Sequence, residues 1–153
     1  MNPLAPWDVQ AELAAWKALV STLIAEQVQL REGNIDNLAS LAASKRELVV
    51  QLAPHIKARG KLLLDHQQPN DVGGMEEMIR QSGNPRIAAA WREIRDTERM
   101  ARDLNQLSGR LIHMRLNSVE QALGVLSRSA GGQTLYTPGG QASHTLPARA
   151  ISV

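Results

Sequence analysis

The chain has 153 residues, no cysteine, no phenylalanine, 3% aromatics and a net charge of +2. That length carries one sizeable core. The scarcity of aromatics leaves Leu, Ile, Val, Ala and Met to build it, a mix that favours helices over sheets. Without cysteine, disulfides, thiolate metal sites and cysteine nucleophiles are excluded. The opening stretch, MNPLAPWDVQAEL, lacks the basic region and apolar run of a secretory signal. No window approaches the roughly 18 apolar residues of a membrane span. The expectation is a soluble cytoplasmic protein with no direct membrane insertion.

The first element is predicted from Trp7 to Glu32. Val9, Leu13, Trp16, Val20, Leu23 and Leu30 recur at helical spacing. Pro6 and Asp8 suit its start, and Gly33 suits its end. The second element begins near Asn34 to Asp36, and either of these two residues can cap it. Its stripe is Ile35, Leu38, Leu41, Leu48, Leu52 and Ile56, interrupted by Lys45. Pro54 removes a backbone donor inside this pattern, so a kink or break is expected between Val50 and Pro54, with helix resuming toward Gln67. Residues 68–85 read as a connector, with a short helical piece, MEEMIRQS, between glycine and proline punctuation.

The third long element runs from Pro85 to Arg128 without an internal proline, on the order of 65 Å if helical throughout. A helix that long needs the first two laid along it. From Ser129 the pattern gives way to Gly, Ser, Thr, Ala and Pro, a composition too poor in apolar surface to order itself. The expected fold is therefore all-α: an elongated antiparallel bundle of three long helices with a short extra helix (1–128), then a flexible tail (129–153).

Charge is uneven along the chain. Residues 1–79 carry 7 basic and 10 acidic side chains, whereas residues 80–128 carry 9 and 5, every base an arginine. An arginine-rich third helix invites a nucleic-acid reading. Its charges interleave, however, with Arg92 facing Asp96, Glu98 facing Arg102 and Arg99 facing Asp103 at i,i+4, the pattern of a solvated helix face.

No catalytic pattern emerges. His55, His66, His113 and His144 lack ligand spacing. The Gly-Gly pairs at 73, 131 and 139 sit in no phosphate-binding motif, and no serine occupies a nucleophile elbow. The chain reads as a non-enzyme with no cofactor and no metal site. Its positive signal is apolar surface on the third helix. One stripe there is Ile87, Trp91, Ile94, Ala101, Leu104, Leu111, Met114, Ala122 and Val125. A second is Ile112, Leu116, Val119, Leu123 and Leu126, extended backwards through Gly109 and Asn105. The two lie about 100° apart. One stripe serves the bundle; the second is surplus, beside the tail, where a foreign amphipathic helix can dock. Glycine at 109 lowers helix stability by about 1 kcal/mol relative to alanine, and close approach of another helix is a reason to keep it.

In length, order of helices and polar tail the chain resembles the FlgN family of flagellar export chaperones. The stretch LNQLSGRLIHMRLNSVEQALGVLSRSAGGQTLYTPGGQ, residues 104–141, carries most of the resemblance. It implies a chaperone that binds the C-terminal helices of the hook-filament junction proteins FlgK and FlgL and delivers them to the type III export gate protein FlhA. On this resemblance the cargo-facing stripe is Ile112, Leu116, Val119, Leu123 and Leu126, and Tyr136 is the docking residue of the tail. The family commonly places glycine directly after that tyrosine; here Thr137 and Pro138 come first. The alternatives are a helical regulatory or nucleic-acid-binding protein using the third helix, and a structural coiled-coil subunit. A homodimer through the same stripe is compatible with chaperoning.

Overall fold

In the computed structural model the described residues are 3–130, together with the backbone of 135–136 and 142–143. The fold is all-α. Among the described residues four helices follow one another: α1 Val9–Glu32, α2 Leu38–Asp65, α3 Val72–Ser82 and α4 Pro85–Ser129. Two strands of two residues come after them, β1 Leu135–Tyr136 and β2 Ala142–Ser143. They pair antiparallel, with Leu135 opposite Ser143 and Tyr136 opposite Ala142. The chain divides into two units, Met1–Leu111 and Ile112–Val153, and the boundary falls within α4.

In the first unit the helix ends follow their local chemistry. Asp8 caps α1 by accepting a bond from the Ala11 amide at 3.0 Å. Gly33 ends it in the left-handed region, φ 73°, where glycine carries no Cβ penalty. Asp71 caps α3 through the Gly74 amide at 2.8 Å, and Gly83 closes it at φ 62°. On α3, hydrogen bonds from Arg80 and Gln81 hold the half-buried Glu77 carboxyl below its usual range.

Helices α1 and α2 pack antiparallel. Glu12 meets Arg59 near one end of the pair and Glu26 meets Lys45 toward the other. Helix α4 runs alongside α1 in the same direction, with Lys17 on Glu93 at 2.9 Å and the Gln27 amide on the Leu104 carbonyl at 3.4 Å. Two apolar clusters fill the space. One gathers Leu4, Trp7, Leu13, Leu63, Met75, Trp91 and Ile94. The other gathers Leu19, Val20, Leu23, Leu52 and Ala101.

Three sequence expectations change. Helix α2 continues through Pro54, so of the two outcomes expected there the break does not occur. Burial of Leu52 before the proline and of Leu62 and Leu63 after it contributes about 1.5–3 kcal/mol per side chain, enough to offset the roughly 3 kcal/mol that proline costs. The buried face of α2 is also rotated from its expected place. Ile35 and Ile56 are exposed, while Lys45, His55 and Arg59 are half-buried in the line of Leu48, Leu52 and Leu62. The cause is on α1, where the buried Glu12 and Glu26 take Arg59 and Lys45 as partners. On α4, Glu98 bonds both Arg95 at 3.0 Å and Arg102 at 3.4 Å, and Arg99 pairs with Asp96 at 3.9 Å rather than with Asp103.

In the second unit α4 continues to Ser129, one residue past its expected end. The flexible tail expected from residue 129 falls mostly on residues 131–134, 137–141 and 144–153, which lie outside the described residues, as does the Tyr136 side chain. The two-residue strands are too short to leave an alternating signal, which is why the sequence did not announce them.

Candidate functional site

Two surfaces of the described residues lack a covering element, one in each unit. The first is a groove of about 620 Å³ bounded by α1, α2 and α4. Trp16, Leu19 and Leu23 come from α1, Lys45, Arg46, Val49 and Val50 from α2, and Glu98, Ala101, Arg102 and Asn105 from α4. Val49 and Val50 remain largely open, 52% and 70% exposed. Packing of Leu48 and Leu52 toward α1 turns residue 50 to the opposite side and residue 49 about 80° off that line, outward. The charged rim is partly engaged. The Lys45 ammonium lies 3.0 Å from Glu26, and the Arg102 guanidinium 3.4 Å from Glu98.

Beneath the groove's α1 wall lies a buried polar group centred on Glu12. Both oxygens of the buried Glu12 are occupied. The indole of Trp7 donates to Oε2 at 2.7 Å, that of Trp16 to Oε1 at 3.1 Å, and the Arg59 guanidinium to both. Arg59 also lies 5.1 Å from the Trp91 ring centre, a cation–π contact, and Trp7 meets Trp91 edge-on at 6.0 Å. This arrangement fixes Trp16, and with it one wall of the groove. Its carboxylate has no open coordination position, so its role is structural.

The second surface is the α4 segment of the second unit. Ile112, Leu116, Val119, Leu123 and Leu126 are 43%, 57%, 56%, 60% and 63% exposed. At about 100° per residue they fall within roughly 40° on either side of one line along the helix. Five large apolar side chains on a single open face are unusual for a surface with no partner. The other stripe changes character along α4. Trp91, Ile94 and Ala101 are buried, and Leu104 and Leu111 half-buried, whereas Met114, Ala122 and Val125 are exposed. The surplus apolar surface is thus larger than the sequence suggested and covers both stripes beyond Leu111.

The other predicted site residues separate. Asn105 lines the groove of the first unit. Gly109 is exposed, and a Cβ placed on it would meet nothing within 4 Å, so no element of the described chain explains this glycine. Tyr136 contributes its backbone to β1. The groove residues Arg46, Val49 and Val50 escaped the sequence reading. Their one signal was a Val-Val pair displaced from the α2 stripe.

Among the described residues no cluster of His, Asp and Glu could hold a metal ion, and no helix is long and apolar enough to cross a membrane. What the two surfaces offer is apolar area for another chain: an open groove and an amphipathic helix. Such a helical, partner-seeking fold defines a binding protein. Among protein families, the model described as FlgN protein matches residues 9–144, most of the chain, and the protein belongs to the FlgN family. Membership is consistent with a flagellar export chaperone that binds flagellar proteins. Neither a curated protein nor a solved structure matches it.

Proposed function

We propose that the protein is a cytoplasmic chaperone of type III flagellar export. It binds the C-terminal helices of the hook-filament junction proteins FlgK and FlgL and delivers them to the gate protein FlhA. In this reading the long helices form a three-helix bundle with α3 at its side, and the protein works by binding alone, without catalysis. Family membership supports the chaperone class. The observation that carries the cargo assignment is the open face of Ile112, Leu116, Val119, Leu123 and Leu126. A cargo terminus that folds on docking spends part of its interaction energy on ordering, so affinity stays moderate and release is achievable. Leu, Ile and Val side chains on a helix without fixed neighbours can accommodate two related cargo helices.

Calorimetry with the C-terminal segments of FlgK and FlgL tests this. A stoichiometric complex is expected, and its absence with both segments overturns the proposal. If the open face instead pairs two copies of this chain, light scattering will show a multimer that cargo does not dissociate.

A further inference from the structure

We propose that the groove of the first unit is a second docking seat, taken by an amphipathic cargo helix with an apolar face and carboxylates along its flank. This rests on the export-chaperone reading and adds a separate site to it.

The floor supplies the apolar half of the argument. Trp16, Leu19, Leu23 and Ala101 line a groove of about 620 Å³, and Val49 and Val50 stand open at its edge. Charge selects the occupant. Of the three cations at the rim, Lys45 is held by Glu26 and Arg102 by Glu98. Arg46 is exposed and has no ion-pair or hydrogen-bond partner among the described residues, and the Asn105 amide has none either. The rim thus presents one uncommitted cation and one uncommitted amide above an apolar floor. A helix with a carboxylate on its flank satisfies both.

The chain's own segments are poorly matched to that rim. Residues 131–153 contain Arg149 and no acidic side chain. Residues 112–130 of a second copy would bring Arg115 and Arg128 against a single Glu120. Each approaches Arg46 with like charge, which disfavours it. A foreign helix with acidic flanks is the occupant that the charges favour.

The test uses the full chain and two capped peptides of about five helical turns. Both carry leucines on one face; one has glutamates on its flanks, the other lysines. The glutamate peptide is expected to bind about five-fold more tightly, the scale of one exposed ion pair. Arg46→Glu should reverse that preference, and Val50→Asp, at an open position, should abolish binding of both. These peptide measurements are made in the Leu116→Asp, Leu123→Asp background, so that the open face of α4 takes no part in them. The proposal is overturned if neither peptide binds, if Arg46→Glu leaves the preference as it was, or if the chain self-associates and Val50→Asp abolishes that association. Cargo separates the two readings. FlgK and FlgL segments that bind, are lost with the Leu116 and Leu123 changes, and ignore Arg46→Glu and Val50→Asp would leave the chaperone reading standing and remove the second seat. Weakening by either groove change supports it.

Discussion

Arg59 of α2 grips Glu12 of α1 through two nitrogens, Nη2 to Oε1 at 2.8 Å and Nε to Oε2 at 2.9 Å, although the Glu12 side chain is wholly buried. Both charges have left water, and their mutual attraction with two indole donors offsets that loss. Removing one member strands the other. Glu12→Gln should therefore lower stability by about 3 kcal/mol, because the Arg59 guanidinium stays largely buried without its counter-charge. Adding Arg59→Leu should recover part of the loss, a coupling of about 1–3 kcal/mol. Urea unfolding of the two single variants and the double variant measures both quantities; additive effects would show that the pair is not the stabilising unit.

This pair also marks where the sequence stopped being legible. The α1 stripe, its glycine end at Gly33 and the extent of α4 follow from periodicity and capping chemistry, and the structure agrees with them, whereas Asp8, expected inside the first turn, is the N-cap just before it. The inner face of α2 did not follow, because apolar residues alone were used to find it. Lys45 looked like an interruption and Arg59 lay off the stripe, yet both are half-buried against carboxylates that sit within the apolar pattern of α1. A charge in register with a stripe on each of two neighbouring helices was the available signal. The groove is less legible still, since it arises from three elements separated in sequence and from where Val49 and Val50 end up once that face is set.

Two glycines should respond oppositely to alanine. A Cβ on Gly74 would overlap the backbone carbonyl oxygen of Pro69 and crowd Leu63. Gly74→Ala must shift the start of α3 against α2 and should cost about 1–3 kcal/mol. Gly109 has open space around it. Gly109→Ala should raise stability by about 1 kcal/mol, the difference in helix propensity. The same change should weaken cargo if a partner helix approaches closely there. Thermal unfolding with and without cargo separates the effects, and a destabilised Gly109→Ala would contradict the open surroundings.

Leu116→Asp and Leu123→Asp place charge on side chains that are already more than half exposed. Surface changes of this kind move stability by about 0.5 kcal/mol or less. Folding should therefore be nearly unaffected, while the apolar face proposed for FlgK and FlgL segments is broken and their binding is strongly weakened. Circular dichroism reads the first outcome and calorimetry the second. Retained binding would move the cargo surface away from this face, and the groove of the first unit would be the next place to look.

Tyr136 is the only tyrosine of the chain, and it stands in a stretch of Gly, Thr, Gln and Pro. Tyrosine offers large apolar area, a hydroxyl and few rotamers to freeze, properties that suit an interface anchor. The proposed cargo face lies earlier, on α4, so the two roles should separate. Tyr136→Ala should leave affinity for FlgK and FlgL segments unchanged and weaken association of the loaded chaperone with FlhA. Tyr136→Phe should keep most of that association if ring area is the main contribution, and lose it if the hydroxyl is. Pull-down of the loaded complex on immobilised FlhA distinguishes the three proteins. Loss of cargo affinity in Tyr136→Ala would instead assign the ring to cargo binding, and the separation of the two roles would fail.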